Sequence, residues 1–233
     1  MNNFSREITS RDNPMVKQYV LLASSRKARY DQKLFVTEGI KLTAEAFAAG
    51  YCPEMLFATE DAMDRYYDDM QSIALASDHF LRISNSVAQK LAQSTSTQGV
   101  FDVFRMLDND PTDVKIDCNG KFLLLCSLQD PGNVGTILRT AAAFGIDGVI
   151  LSQDSPDLYS LKVLRASMGG VFKIPVHVTN DICCDIQKLR EIGLPVYAAA
   201  LDERAVSIRE VSLKKGCAVE IGNEGNGISN EIK

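Results

Sequence analysis

Short apolar segments alternate with longer amphipathic segments along the whole chain, most regularly in its second half. The run KFLLLCSL (121–128) is continuously apolar, as is typical of a parallel strand that is covered on both faces. Further strands are predicted at 148–152, 172–178, 195–201 and 216–222, and helices at 134–144, 158–167 and 181–192. Strands separated by helices indicate βαβ units and therefore a parallel sheet.

The first half has the same alternation with weaker periodicity. Pro14 near the start and apolar residues on one side predict a helix over 14–29, and Gly50 is a suitable residue to follow a helix that ends at Ala48. Strands are predicted at 34–37, 54–58, 73–75 and 100–106, with helices at 61–71 and 84–92. This pattern predicts a small α/β unit of about a hundred residues.

Residues 108–120 (DNDPTDVKIDCNG) are polar, rich in helix and strand breakers, and without an apolar period. We place the domain boundary there. The predicted organisation is a first domain over 1–108, a linker over 109–120 and a second domain over 121–233.

The net charge of −5 argues mildly against a nucleic-acid binder, but the charges are unevenly distributed. Residues 1–42 contain eight Lys or Arg against four acids, whereas 54–78 are strongly acidic. The basic end either meets a polyanion or is an ordinary solvated helix face, and this region alone does not decide between them. No apolar run is long enough for a membrane helix, and no signal-peptide core occurs at the N-terminus.

The six cysteines include no C-x-x-C pair, and the chain has only two histidines, so we expect no metal site. Cys183 and Cys184 lie in a predicted helix, where we interpret them as packing residues. The expectation is a reduced, cytoplasmic protein.

The loop after the first long strand is the first candidate for chemistry. It reads QDPGNVGTILRTA (129–141) and lacks the G-x-G-x-x-G turn of dinucleotide-binding domains. Asn133 is placed to cap the following helix. Arg139 lies in an otherwise apolar helix, so we expect it to have a partner or to project toward an anion.

Two further loops follow predicted strands. In IGNEGNGIS (221–229), three glycines within six residues permit close approach of a ligand to the backbone, and Glu224 is expected at the mouth of a cleft. Small residues at 199–202 end another strand and would admit a flat ligand, which is a weak signal. Ligands of open parallel sheets lie beyond the carboxyl ends of the strands, where all three loops are expected.

These loops resemble motifs of a known family. DPGNVGTILRTA (130–141) looks like the first motif of the SpoU (TrmH-like) RNA 2′-O-ribose methyltransferases, and IGNEGNGI (221–228) looks like the second. LRASMGGVFKIPV (164–176) is similar to the family's middle segment. Upstream, NPMVK (13–17), RKARY (26–30) and LFVTEGI (34–40) resemble its N-terminal substrate-binding domain, so the likeness covers nearly the whole chain.

The resemblance implies an L30e-like α/β RNA-binding domain followed by a parallel-sheet α/β-knot methyltransferase domain that works as a homodimer with S-adenosylmethionine. It implies catalytic roles for Asn133, Arg139 and Glu224. Cofactor contacts are expected from Leu201, Gly222, Asn223, Gly225 and Gly227. RNA contacts are expected from Arg11, Lys17, Arg26, Lys27, Arg29 and Lys33. The N-terminal domain favours ribosomal RNA over transfer RNA as the substrate.

The printed sequence ends before the family's third motif. We therefore expect an incomplete knot and weak or absent cofactor binding for these 233 residues, and we assign the activity to a longer parent protein. One alternative is an RNA-binding protein of the same fold without catalysis, and another is a tRNA ribose methyltransferase. A dehydrogenase is disfavoured because the dinucleotide-binding turn and its ribose-binding acid are absent.

Overall fold

The computed structural model of the protein describes residues 7–106, 114–200, 202–203, 205–211, 213, 215–223, 225 and 227–228. The chain divides into two compact units. The first comprises 1–108 with Tyr159–Arg165, and the second comprises 109–158 with 166–233. The sequence does not predict that Tyr159–Arg165 belongs to the first unit, because the hydrophobic pattern assigns the whole helix at 158–167 to the second domain.

The first unit is a four-stranded mixed sheet with helices. Its strands are β1 (Leu34–Glu38), β2 (Pro53–Ala58), β3 (His79–Arg82) and β4 (Val100–Arg105), in the order β1-β4-β2-β3. Its helices are α1 (Pro14–Ser24), α2 (Arg26–Gln32), α3 (Ile40–Ala48), α4 (Glu60–Arg65), α5 (Tyr67–Ala76) and α6 (Asn85–Leu91). Strand β4 is antiparallel to β1 and β2, and β2 is parallel to β3. The carboxyl ends of β1, β2 and β3 therefore lie at one edge of the sheet, where β4 begins.

The single helix predicted over 14–29 is wrong, because Ser25 ends one helix and begins another. Its backbone N–H donates to the Leu21 carbonyl at 2.9 Å, and its hydroxyl accepts from the Ala28 N–H at 3.2 Å. The serine is thus the N-cap of α2, and its side-chain hydrogen bond favours a new helix over continuation of α1.

Arg29 is buried by this break, with 3% of its surface exposed. Its guanidinium donates to the carbonyl of Leu22 at 2.5 Å and to that of Ala23 at 3.4 Å. These are unpaired carbonyls at the C-terminal end of α1, where a cation is favoured. The prediction that Arg29 contacts RNA is corrected accordingly, because its charge is used inside the fold.

The strand predicted at 73–75 is also wrong, and the helix predicted at 61–71 is two helices. Ile73 lies in α5, where it is buried together with Met70 three residues earlier. A spacing of three residues is typical of a helix, whereas the short apolar run IAL (73–75) taken alone predicts a strand. The strand of this region is β3, which begins at His79.

A buried carboxylate lies in the middle of this sheet. Asp102 of β4 pairs with Thr37 of β1 and Leu56 of β2, and its side chain is fully buried. Neither carboxyl oxygen has a hydrogen-bond partner among the described residues. Burial raises the pKa of Asp102 well above its usual value, and the nearby Val103 amide acts in the opposite direction.

The second unit is a five-stranded sheet in which every pair is parallel. Its strands are β5 (Lys121–Leu125), β6 (Gly148–Ser152), β7 (Val176–Thr179), β8 (Val196–Ala199) and β9 (Cys217–Ile221), in the order β7-β6-β5-β9-β8. Its helices are α7 (Pro131–Ala143) and α9 (Ile182–Glu191), while α8 (Leu161–Ser167) belongs to the first unit up to Arg165. Gly145 and Gly193, at φ of 66° and 82°, follow α7 and α9 as predicted. The predicted α/β class with a parallel sheet is confirmed.

Three local predictions in this unit are corrected. Helix α7 begins at Pro131 rather than Val134, because Asp130 is the N-cap and its side chain accepts from the Gly132 N–H at 2.8 Å. Asn133 therefore lies inside the first turn. The strand predicted over 172–178 begins only at Val176, after a 3₁₀ turn at Gly170–Phe172. Cys183 and Cys184 are exposed rather than packed.

Part of the predicted linker belongs to the second unit. Residues 107–113 lie outside the described part of the chain. Val114 packs against the second core, and the Gly120 N–H closes a turn on the Asp117 carbonyl at 3.0 Å. Among the described residues, no helix is long and apolar enough to cross a membrane, and no cluster of side chains suited to a metal ion occurs.

Replacing Asp102 should stabilise the protein at neutral pH. A carboxyl whose pKa is raised on folding costs nothing below its unfolded pKa, and the cost grows as the pH rises toward its folded pKa. The free energy of unfolding of Asp102→Asn relative to the wild type should therefore rise with pH, by about 1.4 kcal/mol for each pH unit between the unfolded and the folded pKa. Urea unfolding of both proteins between pH 4 and pH 8 measures this.

The difference between the two proteins isolates Asp102 from every other titrating group. It should be small at pH 4 and grow with pH. A difference that stayed constant or shrank would show that the buried carboxyl does not titrate as inferred. Asp102→Val, which removes the polar group altogether, should be at least as stable as the Asn variant.

Arg29→Ala should destabilise the protein by about 2–3 kcal/mol, because two carbonyls at the end of α1 lose a charged donor. Lys27→Ala, in the same helix but exposed, should change the stability by less than about 0.5 kcal/mol. Thermal and urea unfolding of both variants give the comparison. Equal effects would contradict the structural role of Arg29.

Candidate functional site

The three candidate loops follow neighbouring strands at one edge of the second sheet. β5 leads into the loop before α7, β9 leads into the glycine-rich loop, and β8 ends at Ala199. Because β5 and β8 both flank β9 in parallel, their carboxyl ends lie side by side. The sheet order therefore places these loops together where ligands of open parallel sheets bind.

Ser127 connects the ends of three strands. Its backbone N–H donates to the Ser152 hydroxyl at the end of β6, at 2.7 Å. Its carbonyl accepts from the Asn223 side-chain amide after β9, also at 2.7 Å. Ser127 has a φ of 51°, a conformation that is uncommon for a residue with a side chain. The loop before α7 thus leaves β5 through a sharp turn that is bonded on both sides.

Further polar groups reinforce this turn. The Ser155 hydroxyl accepts from the Leu128 N–H at 3.1 Å and lies 2.9 Å from the Ser152 hydroxyl. Hydrogen bonds from the side chains of Ser127 and Ser152 lower the pKa of Asp154. A carboxylate therefore remains charged beside the loop at neutral pH.

The glycine-rich loop folds back on itself. Asn223 and Gly227 exchange two backbone hydrogen bonds, of 3.0 and 2.9 Å. A Cβ atom on Gly222 would lie 2.5 Å from the Gly227 carbonyl oxygen, so only glycine fits there. The Asn223 side chain also accepts from the Gly225 N–H at 2.9 Å. Asn223 thus supports both this loop and the turn at Ser127.

The structure describes part of the predicted site. It brings Gly222, Asn223, Gly225 and Gly227 into one loop beside Ser127. Leu201 and Glu224 lie outside the described residues. Asn133 and Arg139 are exposed on α7. The Arg139 side chain forms no hydrogen bond or ion pair with the described residues, and the expected contact with an anion stays a prediction.

A contact that sequence reasoning missed positions Arg139. A Cβ atom on Gly170 would lie 2.7 Å from the Arg139 Cα, so the backbone after α8 packs directly on α7 at this residue. Gly169 before it has a φ of 83°. The signal was available in the paired glycines of SMGG, which were read only as the end of a helix.

A buried thiol and carboxyl lie under the site. The Cys126 Sγ is 3.0 Å from Glu220 Oε1, and Glu220 is 1% exposed. Burial raises the pKa of both groups. A protonated thiol is a poor nucleophile, so Cys126 is a donor to Glu220 rather than a reactive cysteine.

The loops fit a compact ligand that approaches the backbone. Gly222, Gly225 and Gly227 present main chain without side chains, and the residues that end β8 are small. Backbone N–H and C=O groups in such loops bind the polar atoms of a nucleoside, and the absence of Cβ atoms admits its flat ring. The residues present therefore fit an adenosine-containing cofactor.

The basic residues predicted to contact RNA belong to the first unit. Arg11 donates to the carbonyl and hydroxyl of Ser86, each at 3.1 Å, and Lys17 pairs with Asp12 at 3.0 Å. The Arg26 guanidinium lies 5.7 Å from the centre of the Tyr30 ring. Together with Lys27 and Lys33, these side chains are exposed, whereas Arg29 is not.

Comparison with known proteins identifies both parts of the chain. Residues 120–233 match the SpoU rRNA Methylase family, and residues 13–101 match the MRM3-like substrate binding domain. The chain is 30% identical over 225 residues to the 23S rRNA (guanosine(2553)-2′-O)-methyltransferase RlmP of Bacillus subtilis, covering 96% of this chain and 84% of the relative. It is also 31% identical to human mitochondrial rRNA methyltransferase 3, over 66% of this chain and 37% of that protein.

A solved structure has the same fold. The AdoMet-bound rRNA methyltransferase of Sinorhizobium meliloti superposes with a TM-score of 0.82 at 30% identity, covering 97% of this chain and 84% of that one. The sheet order, the loops at its edge and these matches agree, and the chain belongs to the SpoU family of RNA methylases.

Proposed function

We propose that this protein transfers the methyl group of S-adenosylmethionine to a ribose 2′-hydroxyl of ribosomal RNA. The observation that carries the proposal is the placement of the loops after β5, β9 and β8 at one edge of a parallel sheet. The relatives named above act on ribosomal RNA, and one of them was solved with S-adenosylmethionine bound. The family is an enzyme family, and S-adenosylmethionine is its cofactor.

The proposal divides the work between the two parts of the chain. Residues 1–108 bind the RNA substrate, in agreement with the matched substrate-binding domain. Residues 121–233 carry methyl transfer, with Gly222, Asn223, Gly225, Gly227 and Leu201 beside the cofactor. When bound, the cofactor supplies an electrophilic methyl group on a sulfonium.

Arg139 is assigned to the substrate phosphate. A 2′-hydroxyl is a poor nucleophile until its proton is removed or strongly polarised. Arginine stays protonated and is no base, but it binds a phosphate through two parallel hydrogen bonds. Held in this way, the phosphate next to the reacting ribose accepts the hydroxyl proton as the oxygen–methyl bond forms. Asn133 and Glu224 are assigned to fixing that geometry.

The proposal extends to assembly and location. The family resemblance implies a trefoil knot in the methyltransferase domain and a homodimer, and the location we propose is the cytoplasm, as expected from the sequence. A tRNA ribose methyltransferase and a non-catalytic RNA-binding protein are the alternatives. Mapping ribose methylation in ribosomal and transfer RNA from cells with and without the gene separates all three, because each predicts a different lost modification or none.

Arg139→Ala should lower the single-turnover rate of methyl transfer to ribosomal RNA by about a hundredfold or more. The binding of S-adenosylmethionine should change little, because the assigned contact is with the substrate phosphate. The measurement uses the purified protein and RNA from cells that lack the gene.

Arg190→Ala is the matched control, since Arg190 is an exposed arginine of the same unit, on α9. It should retain a near-normal rate. Near-normal methyl transfer by Arg139→Ala would refute the assignment of Arg139, while a lost activity in both variants would point to a shared loss of folding.

Asn223→Ala should weaken S-adenosylmethionine binding about tenfold, because the glycine-rich loop loses its bonds to Gly225 and Ser127. Calorimetric titration of the full-length protein measures the affinity. Asn180→Ala, at an exposed asparagine after β7, should bind the cofactor normally. Unchanged affinity in Asn223→Ala would show that the loop does not depend on this side chain.

A further inference from the structure

A cleft of about 360 Å³ opens in the first unit, at the sheet edge where β1, β2 and β3 end. Its lining comes from α4 with its N-cap Thr59, from α6 and from the segment 97–99 before β4. The polar side chains among the lining residues are those of Thr59, Asp61, Arg65, Asn85, Gln89, Thr97 and Gln98. Its volume falls near the lower end of the range of about 300–1,000 Å³ for small-ligand sites, and is ample for one flat heterocycle.

One wall of the cleft belongs to the segment 93–99, which hydrogen bonds fix at both ends. The Glu38 carboxylate accepts from the backbone N–H of Gln93 at 2.9 Å, and it also accepts from the Ser94 hydroxyl. It is 4% exposed at the side chain and lies 3.5 Å from the Arg165 guanidinium. The segment from 93 onward is therefore held at its start by a buried charge.

The other end of this segment is fixed as well. The Gln98 side-chain oxygen accepts from the Ile40 N–H at 3.1 Å, and the Gly99 carbonyl accepts from the Thr59 N–H at 3.0 Å. Gly99 has a φ of 75°, and a Cβ there would lie 2.4 Å from the Thr59 hydroxyl. The cleft is thus a formed feature of the fold.

Polar groups with unused hydrogen-bonding capacity line this cleft. Within the described part of the chain, the side chains of Asn85, Gln89 and Arg65 form no hydrogen bond or ion pair, and none is formed by the Gln98 amide nitrogen. Amides offer donors and acceptors together, Asp61 adds acceptors and Arg65 adds donors. Such a mixed lining matches the edge of a nucleobase, whereas a bare phosphate would use only the donors.

Basic groups flank the same helix. Arg11 donates to Ser86, the neighbour of Asn85 on α6, and Lys90 lies close enough to Asp12 to lower the pKa of that carboxyl together with Lys17. A nucleotide with its base in the cleft would carry its phosphates along a helix with cations beside it. Phosphate contacts position RNA, and base contacts specify it.

We infer that this cleft binds one unpaired nucleobase of the RNA substrate, read by the amides of Asn85, Gln89 and Gln98. The inference rests on the proposed function, since it takes the substrate to be RNA. Unpaired bases are the part of an RNA whose edges a protein can reach, while a regular helix buries them in a deep, narrow groove.

The test is nuclear magnetic resonance of the isotopically labelled chain with defined RNA probes. The probes are single-stranded octanucleotides of adenosine, of cytidine, of uridine and of alternating adenosine and guanosine, and a blunt duplex of mixed sequence. We expect the Gly99 backbone amide and the side-chain amides of Asn85 and Gln89 to shift with at least one single strand. The duplex should leave them in place.

The variant Asn85→Ala/Gln89→Ala should bind the preferred single strand about tenfold more weakly, with the salt dependence of binding unchanged. An unchanged salt slope separates lost base contacts from lost phosphate contacts. Ser84 caps α6, so alanine at both positions leaves the helix intact. Gln71→Ala, at an exposed glutamine of α5 outside the cleft, is the matched control and should bind normally.

Single strands that bind without shifting these amides, or a duplex that shifts them equally, would overturn the inference and leave the proposed methyl transfer intact. Failure of every RNA to bind would also overturn it. The proposed function is tested separately by methyl transfer, so a protein that methylates RNA but shows no cleft shifts is distinguished from one that does neither.

Discussion

The two hydrogen bonds to the peptide of Ser127 are the constraint on which the candidate site depends. Loops at the ends of parallel strands share an edge because of the sheet, but the sheet does not fix their shape. Ser127 does this by standing at a φ of 51° while Ser152 and Asn223 bond its N–H and its carbonyl. A conformation of that kind costs of order 1–3 kcal/mol and persists only where the surroundings impose it. The same two hydrogen bonds hold Ser127 in this conformation and join the ends of β5, β6 and β9.

In the first unit, the Glu38 carboxylate has the role that the Ser127 peptide groups have in the second. Strands β1, β2 and β3 end at one edge, and the Glu38 carboxylate there holds both the segment that leads into β4 and Arg165 from the second half of the chain. In each unit, a polar group at the carboxyl edge of a sheet fixes segments that carry no regular structure. Both units therefore present ordered loops on a rigid sheet, which is the arrangement that binding requires.

The sequence could predict whatever depends on hydrophobic period and backbone freedom. Continuous apolar runs gave β5 and β6, and the glycines at 145 and 193 gave the ends of α7 and α9, because their chemistry is local. The prediction of Asn133 as the helix cap is wrong because a nearby residue has the same capping chemistry. Asp130 and Asn133 are both good capping residues, and the structure uses Asp130. Burial of Arg29 depends on the helix break at Ser25, which no apolar period marks, and the paired glycines at 169–170 indicate a close approach without identifying Arg139 as the residue approached.

The charge of the chain bears on how it meets RNA. Binding through phosphates alone grows with the number of cations engaged and weakens steeply with salt. This chain has a net charge of −5, and Arg29, one of its N-terminal cations, is used inside the fold. Lys17 is partly neutralised by Asp12. For a protein with this charge, further phosphate contacts add little to RNA affinity, and contacts that salt does not screen add more. Amides that read a base are contacts of that kind, and they select an RNA by its unpaired nucleotides rather than by its charge.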